Sequence, residues 1–391
     1  MNQDQLKECL VVSETPFYLY DFDRLRRDIA GIRSAMEGKA DLCFSVKSNP
    51  FLVKAAQELV DRVEICSSGE YQICRKCGLP AEKLVLSGVL KEERDLTRAL
   101  TETEGKSIYT VESMNQYCIY AGWSTKSGKP LKLLLRLSSG NQFGMDLEEI
   151  RKILQIRPLS PGIQILGLHY FSGTQKHSPS IYAKELGMLD ACLRSLEQEF
   201  GIHFSHLEYG AGVPVCYFQE QDQGIREACL QALCEQIGKM TWKGRITVEM
   251  GRAVAAGCGT YVTSVRDTKC TEGVNYCIVD GGIHQIHYDG QMRGMLHPFT
   301  DVYPMRGGTK KWAVCGSLCT ANDILCNGQE LGDLKKGDLI AFQNTGAYSA
   351  LEGMSLFLSH DLPAVIGYTA KNGAQILRNA DPTWTINSTG H

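Results

Sequence analysis

The sequence predicts an α/β protein with an N-terminal (β/α)8 barrel of the TIM type and a separate C-terminal all-β domain. Three observations predict it. β-rich runs and helical patterns alternate eight times between about residue 20 and residue 255. No Gly-x-Gly-x-x-Gly turn follows the first of these strands, which argues against the runner-up, a doubly wound open sheet. After about residue 255 the helical periodicity gives way to short strand-like runs separated by Gly and Asp.

The elements follow in order. Leu25, Ile29, Ile32 and Met36 recur at the 3.6-residue period of one buried helix face. Strands are expected at 42–47, 63–66, 84–87, 107–111, 131–137, 163–169, 205–209 and 245–249. Helical stretches such as 51–60, 91–100, 146–156, 179–199 and 223–238 lie between them. In the C-terminal region 259–265, 275–279, 312–315 and 338–343 read as strands. Gly307-Gly308 and Asn327-Gly328 read as turns. The expected organisation is a segment 1–20 that joins the β domain, a barrel over 21–255 and the β domain over 256–391, with the chain disordered from about 380. A length of 391 residues suits two domains.

Composition removes several function classes. The net charge is -3 and the charges are mixed along the chain, so neither a nucleic-acid surface nor a membrane surface is expected. No run approaches the roughly 18 apolar residues of a spanning helix. The first ten residues, MNQDQLKECL, lack the basic and apolar regions of a signal peptide. A cytoplasmic location is expected, and with it reduced thiols for the 16 cysteines. Cys74 and Cys77 form a Cys-x-x-Cys pair, but no second pair or His pair stands at zinc spacing, and no metal site is expected.

In barrel enzymes the working residues sit at the C-terminal ends of the strands. Here those ends supply Lys47, the run Ser67-Ser68-Gly69, Ser87-Gly88, Arg136, the run Phe171-Ser172-Gly173-Thr174, Gly210-Ala211-Gly212, Glu249 and Gly251-Arg252. Each has a bland reading. A strand-end lysine is usually a solvated charge, a Gly-Ala-Gly run can be only a tight turn, and Glu249 could be a wall carboxylate paired with Arg136 or Arg252. Lys47 is distinguished by the apolar residues before it. They start its stem in the barrel wall, where desolvation frees an amine for attack on a carbonyl. Small residues before a helix let backbone N–H groups approach a phosphate.

Five segments carry a resemblance. FSVKSNP at 44–50, GLHYFSGTQ at 167–175, EYGAGVP at 208–214, VEMGR at 248–252 and CGSLCTANDIL at 315–325 resemble, in order, the signatures of the fold-type III pyridoxal-phosphate decarboxylases. This alanine-racemase-like group includes the diaminopimelate and ornithine decarboxylases, and the likeness runs from YLYDFDRL at 18–25 to Gly-Ala-Tyr at 346–348. The resemblance implies pyridoxal 5'-phosphate held covalently by Lys47, with Glu249 keeping the ring nitrogen protonated. It implies a phosphate surrounded by Thr174, Gly210, Ala211, Gly212, Gly251 and Arg252, and reached by Tyr348 from the C-terminal domain. It further implies a homodimer with shared sites, in which Cys319 of one subunit returns a proton to the substrate carbon in the other. Arg136 and Phe171 fall among the cofactor contacts. Asp280, His284, Thr320 and Asp323 fall at the substrate end.

The departures define a subgroup. Phe171 stands at the ring-stacking histidine of the family, and an aromatic can still lie on the pyridine face. His169, two residues earlier, shares its side of the strand. Thr320 stands where diaminopimelate decarboxylases carry a Glu for the distal amine. Asp280 matches, but no Arg-Pro follows it to read a distal carboxylate; His284, His287 and Arg293 are what this segment offers. These features resemble decarboxylases of modified or carrier-protein-bound amino acids. The alternatives are a diaminopimelate decarboxylase of lysine biosynthesis and an amino-acid racemase on the same fold. An acid at the ring nitrogen argues against the racemase.

Overall fold

The computed structural model describes residues 1–89 and 91–390. The chain divides into two compact units. One comprises Ile29–Pro214 and Gly224–Val254; the other comprises Met1–Asp28, Val215–Gln223 and the chain from Ala255 onward.

The first strand of the chain, β1 (Phe17–Asp21), belongs to the second unit. The first unit is a closed barrel of eight parallel strands in sequence order. They are β2 (Asp41–Ser45), β3 (Arg62–Ile65), β4 (Leu84–Leu86), β5 (Ile108–Val111), β6 (Leu131–Leu137), β7 (Ile163–Phe171), β8 (His206–Gly210) and β9 (Arg245–Met250). Closure is made by β2 on β9, with Cys43 opposite Glu249. The strands read as continuous apolar runs because both faces are covered, one by the lumen and one by helices. β6, LKLLLRL, is buried at every position except Lys132. Cys43, Val85, Ile108, Leu134 and Leu166 pack as an apolar layer. Helix starts are capped at the strand exits: Ser67, Ser113 and Asp146 each accept a backbone N–H three residues on.

The second unit is a nine-stranded mixed sheet. Its other strands are β10 (Gly259–Thr271), β11 (Val274–Val279), β12 (Thr300–Tyr303), β13 (Lys311–Cys315), β14 (Ile324–Glu330), β15 (Leu339–Gln343), β16 (Ala364–Thr369) and β17 (Gly373–Arg378). β1 lies inside this sheet, antiparallel to β10 and parallel to β16. Phe17 and Leu19 join Val262, Ala341, Ala364 and Ile366 in its core, under Leu6 and Cys9 of the helix Gln3–Val12. That helix begins in a capping box between Asn2 and Gln5.

Several expectations are corrected. The eight strands close on themselves, so the open-sheet alternative falls. The helix expected at 51–60 shrinks to a 3-10 turn at Pro50–Leu52 and one α turn at Val53–Ala56. Asn327-Gly328 is no hairpin turn. It lies inside β14, where Trp312 pairs with Gln329 and Ala313 with Asn327. The skipped Gly328, at φ +76°, is a bulge residue that glycine accommodates without strain. The tail is ordered through 390: Leu362 bridges Asp381, and buried Thr383 donates to the His360 carbonyl at 2.8 Å. His391 lies outside the described residues. Among the described residues no helix is long and apolar enough to cross a membrane.

Gly167 is where the barrel tolerates no side chain. The β6–β7 register shifts beside it, its φ is +154°, and a Cβ would fall 1.9 Å from the His206 carbonyl oxygen. Gly167→Ala is expected to destabilise the protein by about 3 kcal/mol. A thermal melt showing no loss of Tm would contradict this account.

Candidate active site

Lys47 does not end β2 but stands on the 3-10 turn Val46–Ser48 that follows it. Its Nζ donates to Glu64 Oε2 at 2.7 Å and to Glu249 Oε1 at 3.2 Å, and lies 3.7 Å from Cys66 Sγ. The Lys47 side chain is 37% exposed against 3% and 5% for the two acids. A ligand can therefore reach the amine while the carboxylates stay walled in. Ser45 Oγ donates to Glu249 Oε1 at 3.1 Å, and His169 Nε2 bonds Glu249 Oε2 at 3.1 Å. Arg136 pairs with Glu112 and not with Glu249.

The two acids are pushed apart. Burial disfavours the charge on both. At Glu249 the Lys47 ammonium and the His169 bond outweigh burial and hold the carboxyl well below the usual carboxylate range. At Glu64 burial and repulsion by Glu249 outweigh Lys47 and raise it. The surroundings thus favour the charge on Glu249 and disfavour it on Glu64, the kind of division that acid–base chemistry uses.

Small residues at the ends of β8 and β9 form a backbone cradle. A Cβ on Gly210 would fall 2.3 Å from the Phe171 ring, so only glycine lets that half-buried ring lie on the end of β8. A Cβ on Gly212, at φ +60°, would fall 2.3 Å from the Gly173 carbonyl oxygen. Ala211 is buried between them. Gly251 packs on Ser48, where a Cβ would sit 2.9 Å from the Ser48 Cβ. Arg252 Nε donates to Thr174 Oγ1 at 3.3 Å and so joins two strand exits. Arg136 is held by Glu112 at 2.8 Å with its guanidinium 4.7 Å from the Phe143 ring centre. Glu112 thus compensates its charge and fixes its orientation.

The other expected residues belong to the sheet domain. Cys319 is exposed and Thr320 half-buried, on the loop after β13. Asp323 secures that loop: Oδ2 accepts the Leu318 N–H and Oδ1 the Ile283 N–H, both at 2.8 Å. Asp280 accepts from Thr263 Oγ1 at 2.6 Å, Ser264 N at 2.8 Å, Thr15 Oγ1 at 2.7 Å and Arg266 Nη2 at 2.7 Å. Both oxygens of each acid thus accept hydrogen bonds inside the domain, which fixes their orientation. His284 is buried against His360, ring centres 5.0 Å apart, and neither ring nitrogen finds a partner. Tyr348 sits at φ +65° in a turn where its carbonyl accepts from Leu351 N and Glu352 N.

Comparison with known proteins fits this arrangement. The family described as "Pyridoxal-dependent decarboxylase, C-terminal sheet domain" matches residues 17–346, well over half the chain. The chain belongs to this family. It is similar to the diaminopimelate decarboxylase of Aquifex aeolicus (strain VF5), with 26% identity over 88% of this chain and 84% of that protein. It is equally similar to the L-glutamyl-[BtrI acyl-carrier protein] decarboxylase of Niallia circulans, with 26% identity over 94% of this chain and 92% of that protein. The crystal structure of a diaminopimelate decarboxylase from M. jannaschi shares the fold, with a TM-score of 0.87 at 17% identity, over 98% of this chain and 94% of that one.

Two groups of this decarboxylase were not singled out in the sequence. Glu64 carried a signal, as an acid inside an apolar strand of a barrel, but its meeting with Lys47 is tertiary. Lys176 and Glu185 carried none. Lys176 is buried beneath the glycine cradle, 2.7 Å from Glu185 Oε2 and 3.3 Å from the Gly210 carbonyl, and its backbone N–H donates to Gly212 O at 2.9 Å. Tyr209 donates to Glu185 Oε2 at 2.5 Å, and Ser172 also bonds Glu185.

Two predictions follow from these contacts. Lys176→Met strands a buried carboxylate and is expected to cost about 3 kcal/mol, with most of it regained in Lys176→Met/Glu185→Leu. Denaturant midpoints of the two variants check this. Burial, and then the neighbouring His360, push the His284 imidazole down to about 4. Its folded pKa lies below the unfolded one of about 6.5, so the unfolded chain binds the extra proton. Stability should fall as pH drops from about 6.5 toward 4, by roughly 3 kcal/mol. His284→Phe should flatten that part of the Tm-against-pH curve.

Proposed function

We propose that this chain binds pyridoxal phosphate at the barrel mouth and decarboxylates an amino acid at its α-carbon, with a substrate whose far end is modified or tethered. The observation that carries the reading is the Lys47 amine between one low-pKa and one raised-pKa buried acid, beside a side-chain-free cradle.

The residues fit the cofactor. Lys47 offers a reachable amine for an aldehyde. Glu249, ionised and fixed by Ser45 and His169, offers the charge that holds a proton on a pyridine nitrogen. Phe171 offers a flat apolar face. Gly210, Ala211, Gly212 and Gly251 offer backbone to a phosphate, with Thr174 and Arg252 beside them. When bound, the cofactor supplies an electron sink for the pair left behind as CO2 departs. Glu64, within 2.7 Å of the Lys47 amine, can take and return the proton that this nitrogen gains or loses. Cys319, exposed on its loop, is the donor proposed to replace CO2 with a proton, acting across a homodimer, and Tyr348 is retained as a phosphate contact.

The substrate end decides between subgroups. Thr320 places a neutral hydroxyl where a distal amine would need a carboxylate, and no Arg-Pro follows Asp280 to meet a distal carboxylate. Unpaired charges buried in such a site are costly, so both departures favour an amino acid whose far end carries no free charge pair. The resemblance to a carrier-protein decarboxylase supports this reading. The second reading, turnover of free diaminopimelate, rests on the relative of that name.

Purified protein with added pyridoxal phosphate is expected to gain a visible absorbance band that Lys47→Ala abolishes. CO2 release is then measured on free meso-diaminopimelate, lysine, ornithine and glutamate, and on glutamate as a pantetheine thioester. The thioester is expected to exceed every free amino acid by about 100-fold or more in kcat/KM. Efficient turnover of a free diamino acid would remove the tethered-substrate reading.

A further inference from the structure

One layer of the barrel lumen is polar where packing alone calls for apolar side chains. Glu208 on β8 is fully buried and neither carboxyl oxygen has a hydrogen-bond partner. It lies in register between His169 on β7 and Thr247 on β9. His169 Nδ1, Thr247 Oγ1 and His206 Nε2 are likewise buried without partners, and His206 Nε2 stands 3.6 Å from Glu208 Oε2. Cys43, one of the residues of the apolar layer, has its thiol pushed up by burial and then by Glu208.

Such a carboxyl is costly to bury, and a well-packed apolar residue would be cheaper. Its position suggests what it is for. His169 uses Nε2 on Glu249, so its orientation depends on what holds Nδ1 on the other side of the ring. His169, His206, Glu208 and Thr247, on the adjacent strands β7, β8 and β9, offer the kind of polar partners, two to four in number, that an internal water needs.

We propose that Glu208 is a positioning residue for His169. Through internal water shared with Thr247 and His206, its carboxyl holds Nδ1 and thereby keeps Nε2 on Glu249. The inference rests on Glu249 being the acid that faces the cofactor ring. It adds to that reading a second acid, one layer deeper, which never touches substrate or cofactor.

Glu208→Leu, Glu208→Gln and Thr247→Val in the full chain test it. In the apo protein, the nitrogen-15 signals of the His169 ring should show one fixed state in wild type and a changed or averaged one in Glu208→Leu. With cofactor, Glu208→Leu should keep or raise Tm, lower kcat by about 10- to 100-fold and leave KM within about twofold. Glu208→Gln, whose amide can still hold water, should recover most of the lost kcat. Thr247→Val should shift the same ring signals, which keeps the test alive if Glu208→Leu does not fold. Unchanged ring signals with wild-type kcat in Glu208→Leu, or in Thr247→Val if the former is unfolded, would overturn the proposal. So would a lower Tm with unchanged kcat, because that is a purely structural role. Loss of the cofactor band in Lys47→Ala alongside such a result would leave the proposed function standing and sink this inference alone.

Discussion

The barrel chemistry depends on one arrangement: a single ammonium placed between two carboxylates that water scarcely reaches. Lys47 comes from the turn after β2, Glu64 from β3 and Glu249 from β9. The three are 17 and 202 positions apart in pairs with Lys47. They meet because β2 is hydrogen-bonded to β3 on one side and to β9 on the other, and the second of those pairings is the closure of the barrel. An open sheet would leave Glu249 at the far edge. Closure also makes the pair asymmetric. His169 and Ser45 add bonds to Glu249, while Glu64 has Cys66 and no such second support. The different environments, and not the residue type, set which acid keeps its charge.

Glycine around this cluster reports close approach of backbone to backbone or to rings. Gly210 and Gly212 each occupy space that a Cβ would share with Phe171 or with the Gly173 carbonyl. The cradle is braced from beneath by Lys176 and Glu185, so its shape is held by a buried ion pair and not by the loop alone. In the sheet domain the same logic applies to acids. Asp280 and Asp323 each gather donors from several segments and fix the geometry of the strand exits and of the Cys319 loop. A conspicuous carboxylate in a motif can therefore be a fastening.

Most of the architecture was legible, because a buried parallel strand is a short apolar run and each run is followed by an amphipathic helix. β6 and β7 could be located almost to the residue for that reason. The sheet domain was less legible. β12, β14, β16 and β17 are short, partly polar, or contain glycine, so their pairing is fixed by distant partners and not by local pattern. Asn327-Gly328 misled because the dipeptide suits a turn and a bulge equally, and only the partner strand decides. The helix Gln3–Val12 carried a capping box but little apolar periodicity, and it is held by packing on β1 and its neighbours.

By itself the sequence determined the barrel and placed Lys47, Glu249 and the glycine run at or just after strand ends, since these rest on residue type and local spacing. Tertiary structure decided which charges meet. It gave Arg136 to Glu112 and not to Glu249, bonded Asp280 and Asp323 within the sheet domain, brought Glu64 to Lys47 and buried Glu208 without a partner. Ion pairs and orphaned polar atoms depend on distances of a few ångströms between strands remote in sequence. The energy of a charge depends on how much water is left around it. Neither quantity is a property of any local segment.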